Sequence, residues 1–155
     1  MPEDIAGLVE AVRRHYADGC FACGRDNPIG LHLDDFALDD GHVSARFTPR
    51  AEYRGAGQTL HGGVAATALD EILVWAGILT EDVLTVTGSL TLRYRRPVHV
   101  GEELVVSAAV EERQGRRLQI AGELNVADRT GVEGSGLYLV AATLEELLAD
   151  HEPEG

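Results

Sequence analysis

The chain has 155 residues, 45% of them apolar and 25% charged, which fits one soluble domain of ordinary size. Its 26 acidic residues outnumber 13 basic ones, all arginine, for a formal charge of -13. The lack of lysine excludes Schiff-base chemistry and a Walker-type phosphate loop, and the acidic balance argues against partners such as nucleic acid or an anionic membrane.

The opening Met1-Pro2-Glu3-Asp4 is acidic with no apolar stretch behind it, so no secretory signal is expected, and the cytoplasm is the expected location. Ile5, Leu8, Val9, Val12 and Tyr16 recur at helical spacing and predict a short amphipathic helix over 5–16. Gly19 to Gly30 is turn-rich and holds Cys20 and Cys23, the only cysteines. A zinc ion needs about four ligands. His32 is the nearest third candidate and there is no second cysteine pair, so a buried turn is expected and no metal.

Leu31, Leu33 and Leu38 predict a first strand. Val43, Ala45 and Phe47 alternate with polar residues in a second, which Pro49 ends. A glycine-containing loop follows to about Gln58. Residues 60–79 predict the one long helix, apolar on nearly every side and therefore surrounded by protein. Asp70 and Glu71 interrupt its apolar run, so it is not expected to span a membrane.

After Glu81 the period becomes two. Leu90, Leu92 and Tyr94 lead to Pro97, and Leu104, Val106, Ala108 and Val110 make another strand. Turns at Gln114-Gly115 and Asp128–Gly131 frame a strand through Leu118, Ile120, Leu124 and Val126. The last strand runs from about Val132 to Ala142, and its Gly134 and Gly136 mark a bulge or a close backbone approach. Leu144, Leu147 and Leu148 predict a short terminal helix. The expected organisation is an N-terminal helical segment over 1–18, one domain over 19–148 and an acidic tail over 149–155. Its class is α+β, an antiparallel sheet wrapped around a central helix.

His61-Gly62-Gly63 at the front of the long helix carries the chemistry. Two glycines there cost helix stability, but they leave bare backbone N–H groups at the positive end of the helix, where an oxyanion can be held. Asp70 then places a carboxylate in an apolar helix, where a wet cleft is the natural reason for it. Eight residues separate Gly62 from Asp70, about 12 Å along the axis. One carbonyl group cannot touch both on one helix. If the two act together, two antiparallel copies of the helix must share them across a two-fold axis, which predicts a homodimer with two identical sites.

His61-Gly62-Gly63 with Asp70 resembles the hotdog-fold acyl-CoA thioesterases, most of all the phenylacetic-acid-degradation branch. Cys20-Phe21-Ala22-Cys23-Gly24, Asn27-Pro28 and Gly30-Leu31 are similar to a subgroup of that branch, as are Leu90–Pro97 and Gly101-Glu102 to the strand after the helix. The resemblance covers roughly residues 20 to 142 and implies a hotdog fold and a thioester hydrolase. It implies that the Gly62 amide polarises the thioester carbonyl, that Asp70 of the partner subunit is nucleophile or general base, and that His61 shapes the helix start. Thr87 falls where many members carry a hydroxyl that orients water. Many relatives have Asn or Gln at the position of Gly55; Gln58 is the candidate substitute. Gly63 belongs to the same substrate-binding set. No cofactor is implied, coenzyme A being part of the substrate, and a dimer or dimer of dimers is the expected assembly.

Glu71 points about 100° away from Asp70, which suits a structural partner or an entrance residue. Six arginines lie between 93 and 117. They are either a solvated sheet face paired with Glu102, Glu111 and Glu112, or donors to coenzyme A phosphates, with Arg95 and Arg96 the foremost candidates. Trp75, Ile78 and Leu79 are candidate lining for the acyl pocket. The rival to hydrolysis is a non-catalytic module that binds acyl-CoA or another ligand, prompted by Gly55.

Overall fold

A computed structural model describes residues 4–149. Residues 150–155 of the expected tail lie outside that span. The elements run α1 (Ile5–Val12), β1 (Asp34–Asp39), β2 (His42–Phe47), α2 (Gly62–Glu81), β3 (Val83–Tyr94), β4 (Leu104–Gln114), β5 (Arg117–Val126), β6 (Arg129–Thr143) and α3 (Leu144–Ala149). The six strands form one antiparallel sheet in the order β1-β2-β4-β5-β6-β3. Helix α2 packs against β2 to β6, so the expected architecture is the one that forms.

Asp4 caps α1 by accepting from the Gly7 N–H at 2.6 Å. The helix expected over 5–16 is regular only to Val12 and continues as a π-helical turn over Arg13–Ala17. The widening coincides with a buried arginine. Arg13 is 2% exposed, donates to the carbonyls of Leu33 (2.5 Å) and Cys23 (3.3 Å), pairs with Asp34 at 3.3 Å and lies 5.2 Å from the Phe36 ring centre. It ties the cysteine turn to the start of β1. Arg13→Ala is expected to cost about 3 kcal/mol, because it leaves buried carbonyls unpaired and a void behind them. Urea unfolding measures this; a loss below about 1 kcal/mol would show that the arginine anchors nothing.

The expected first strand is corrected. Leu31 and Leu33 are buried but precede β1, and their amides bond to the carbonyls of Phe21 and Ala22. His32 between them has φ 56°, which breaks any extended run. The leucines thus dock on the cysteine turn instead of on a neighbouring strand.

His61 caps α2 with its ring, Nδ1 accepting from the Gly63 N–H at 2.8 Å. Asp82, left-handed at φ 55°, ends the helix. Contrary to expectation, α2 is long and apolar enough to cross a membrane by length and composition. It is nevertheless a core helix, with 56% of its apolar window buried inside the fold. Trp75, Ile78 and Leu79 are buried in the core rather than exposed to a pocket, and Trp75 packs on Phe36 at 4.6 Å between ring centres. Helix α2 is also not covered on every side: Gly63 is exposed, and Thr67, Asp70 and Val74, spaced at one helix face, are only half-buried.

The glycines of β6 do what their positions suggested. A Cβ at Gly134 would lie 3.0 Å from Leu92 and 3.6 Å from Leu69 of α2. A Cβ at Gly136 would lie 2.3 Å from the Ser89 carbonyl and 2.9 Å from the Tyr138 ring. The pairing of β3 with β6 is irregular there, between Thr87 and Ser89. Gly136 therefore admits both the bulge of β3 and the ring of Tyr138.

Candidate active site

The first turn of α2 has N–H groups with no helical partner of their own. The Gly63 amide is taken by the His61 ring, and those of Val64 and Ala65 by the His61 carbonyl. Among the described residues, the Gly62 amide has no partner. It is the donor left free at the positive end of the helix. Because Nδ1 of His61 accepts, the neutral ring carries its proton on Nε2. The Tyr94 hydroxyl donates to the Gly62 carbonyl at 2.7 Å, and its ring lies against the space a side chain at 62 would fill.

Asp70 lies two turns further along, half-buried. Its Oδ1 accepts from the Thr87 hydroxyl at 2.7 Å and from the Tyr138 hydroxyl at 2.8 Å. Thr87 and Tyr138 are direct partners across β3 and β6, so one cross-strand pair presents both hydroxyls to one carboxylate oxygen. Tyr138 is fully buried, and burial first and the Asp70 charge second hold its hydroxyl far above the usual value. It remains a donor. Oδ2 is left for another partner.

The predicted residues thus fall into two groups. His61, Gly62, Gly63 and Gly55 gather at the start of α2; a Cβ at Gly55 would meet the His61 backbone at 3.4 Å. Asp70 and Thr87 gather further along. Gln58 joins neither: it is exposed, and its carbonyl accepts from the Val100 N–H. Tyr138 was not foreseen as a site residue, and Tyr94 was foreseen only as a strand residue. Counting inward from Val132 in steps of two reaches Tyr138, which is the signal that could have found it.

Glu71 faces the cysteine turn. Its Oε1 accepts from Trp75 Nε1 at 3.1 Å and from the Cys20 thiol at 3.6 Å. Burial, followed by the charge of Cys20, raises its carboxyl to about 7. The Cys20 thiol is lowered to about 5, chiefly by its side-chain hydrogen bond with Cys23, whose own thiol is pushed far up.

A cleft of about 380 Å³ opens beside Gly62, lined by Thr59, Tyr94, Arg95, Arg96 and Val132 among others. A neighbouring hollow of about 470 Å³ adds His99, Arg129 and the other side of Arg96. A third hollow, about 520 Å³, is lined by sheet residues such as Ser107, Ala121 and Ser135 and includes neither Gly62 nor Asp70. The ion pairs differ from those expected. Arg95 is held by Glu133 of β6 at 3.0 Å and Arg113 by Glu81 at the end of α2 at 3.1 Å, partners brought close by the fold and not by sequence proximity. Arg96 is exposed between the two clefts.

Residues 57–133 match the family model described as the thioesterase superfamily. A crystallised protein described as a thioesterase superfamily protein is 29% identical, with a TM-score of 0.71 over 76% of this chain and 61% of its own. The chain thus spans about three fifths of that relative's length. The PaaI protein of the E. coli phenylacetic acid degradation operon has a TM-score of 0.69 at 18% identity, over 86% of this chain and 95% of its own. A hypothetical thioesterase protein of Streptococcus pneumoniae, solved with coenzyme A, has a TM-score of 0.65 at 15% identity, over 72% and 98% of the two chains. None of the curated proteins compared matches.

Proposed function

Residues 57–133 belong to the thioesterase superfamily on a hotdog fold, and from that premise we propose that the protein hydrolyses acyl thioesters of coenzyme A to the free acid and the thiol. The observation that carries the reading is the pairing of a free Gly62 amide with an Asp70 carboxylate oriented through one oxygen only.

The two groups are about 12 Å apart on one helix, so each site takes Gly62 from one subunit and Asp70 from its partner. Two features support a homodimer. Strand β3 is a sheet edge twelve residues long, with Val86 and Tyr94 more than half exposed. Such an edge offers unpaired backbone groups to a second copy. The half-covered face of α2, with Asp70 on it, lies next to that edge, since Thr87 of β3 reaches Asp70.

The thioester carbonyl accepts from the Gly62 amide, which stabilises the oxyanion as the carbon becomes tetrahedral. The attacking oxygen comes either from Asp70 Oδ2, giving an anhydride that water then opens, or from a water whose proton Asp70 takes. Collapse expels the thiolate, which recovers a proton. Thr87 and Tyr138 hold Oδ1, so the carboxylate attacks or accepts the proton through Oδ2. Arg96, with Arg129 and His99, is placed to meet the phosphates of coenzyme A near Gly62; the coenzyme A held by the S. pneumoniae neighbour supports that class of ligand.

The rival, a module that binds acyl-CoA without turnover, is favoured by position 55, where glycine supplies no amide side chain to orient water. A panel of short, long and aromatic acyl-CoA thioesters, read by free-thiol release, separates the two. Turnover of at least one class is expected. Tight binding with no release across the panel would establish the rival.

A further inference from the structure

Cys20, Cys23 and Glu71 stand together although 51 residues separate Cys20 from Glu71. One ligand atom from each lies within 4.8 Å of the other two. From the distances of the three groups we infer that Cys20, Cys23 and Glu71 form a zinc site that clamps the N-terminal turn onto the central helix.

The spacing fits one ion. A thiolate sulfur at about 2.3 Å and a carboxylate oxygen at about 2.0 Å from a tetrahedral zinc lie about 3.5 Å apart. Cys20 Sγ and Glu71 Oε1 are 3.6 Å apart. The two cysteines have the two-residue spacing of paired zinc ligands.

The surroundings hold the three groups in place. Arg13 donates to the Cys23 carbonyl, Trp75 donates to Glu71, and a Cβ at Gly24 would lie 2.3 Å from the Asp18 carbonyl. Outer contacts of this kind orient ligands. Two thiols and a carboxylate meet, Glu71 has no ion-pair partner among the described residues, and a divalent cation supplies the missing charge. Sulfur donors select zinc over magnesium or calcium. Three protein ligands leave the fourth position to water. The sequence offers His32 beside the two cysteines, but its Nε2 lies on the Asn27 carbonyl at 2.6 Å; the third ligand is Glu71, which arrives only because the fold lays the turn against α2.

The test uses the full chain, reduced, loaded with zinc and dialysed against metal-free buffer. Elemental analysis should find about one zinc per chain, and Cys20→Ser and Cys23→Ser should each lose most of it. Cobalt(II) in place of zinc should give thiolate charge-transfer absorption and the strong visible bands of a tetrahedral ion. Zinc at about 100-fold over its Kd should raise Tm by about 5–10 °C in wild type, and Glu71→Gln, which keeps both thiols, should lose most of that shift. If the serine variants do not fold, the cobalt spectrum of the wild type decides. Wild type without stoichiometric zinc and without the thiolate band overturns the site, as does a folded Cys20→Ser/Cys23→Ser double variant that binds zinc as well as wild type. None of these readouts depends on thioester hydrolysis.

Discussion

Asp70→Asn is expected to lower kcat for acyl-CoA hydrolysis by about 10²–10⁴-fold, the range for loss of a positioned base or nucleophile. The geometry makes this substitution unusually clean. Both hydrogen bonds that orient Asp70, from Thr87 and Tyr138, end on Oδ1. An asparagine carbonyl oxygen can occupy that position and keep both donors satisfied. Only Oδ2, the oxygen left for the reaction, becomes an amide that can neither attack nor take a proton. The shape is conserved, so stability should change by less than about 1 kcal/mol. Steady-state thiol release gives the rate, and thermal unfolding checks the fold. A variant that hydrolyses at the wild-type rate removes Asp70 from the chemistry. A variant that loses several kcal/mol instead shows that the carboxylate serves the fold.

How much of this could be seen in the sequence depends on how local each feature is. Helix α2 follows from one long apolar run and strands β2 to β6 from a period of two, because the helix is enclosed by the sheet and the strands turn alternate residues to it. Gly62 and Asp70 stand out because each breaks a local rule, glycines at a helix start and a carboxylate in an apolar helix. Thr87 entered through the family resemblance as a hydroxyl that orients water; its hydrogen bond to Asp70 is visible only in the fold. Tyr138 was hidden, since an inward tyrosine and an outward one look alike until strand pairing sets the register. Arg13 was hidden for the opposite reason: an arginine in an amphipathic helix suggests solvent, and only the Cys23 and Leu33 carbonyls account for its burial. The error at Leu31 and Leu33 came from a single residue, His32, whose left-handed backbone no hydrophobic pattern reports. Glu71 shows the limit most sharply. Its partners on the cysteine turn are distant in the chain, and only the packing of that turn on α2 brings them into contact.

Gly62→Pro is expected to lower kcat by about 10²–10³-fold, the usual effect of losing one oxyanion donor. Proline is favoured at the first helical position, where its missing N–H breaks no helical bond. The residue before it must be extended, and His61 already has φ -58° and ψ 132°. The new Cβ would lie 3.4 Å from the Tyr94 hydroxyl, an ordinary contact. Gly62→Ala adds the same Cβ but keeps the amide, so it should retain activity within a few-fold, and the difference between the two variants isolates the N–H. If proline hydrolyses as fast as alanine, the Gly62 amide is not the donor. The pair also tests where the two halves of the site reside. Co-expressed Asp70→Asn and Gly62→Pro chains assemble mixed dimers. If each site joins Gly62 of one subunit to Asp70 of the other, a mixed dimer has one intact site and one doubly defective site. Random pairing then restores about one quarter of the wild-type rate, although each variant alone is nearly inactive. If Gly62 and Asp70 of one chain served one site, every site in the mixture would carry a defect and no activity would return. The 12 Å between them along α2 makes the recovery the expected result.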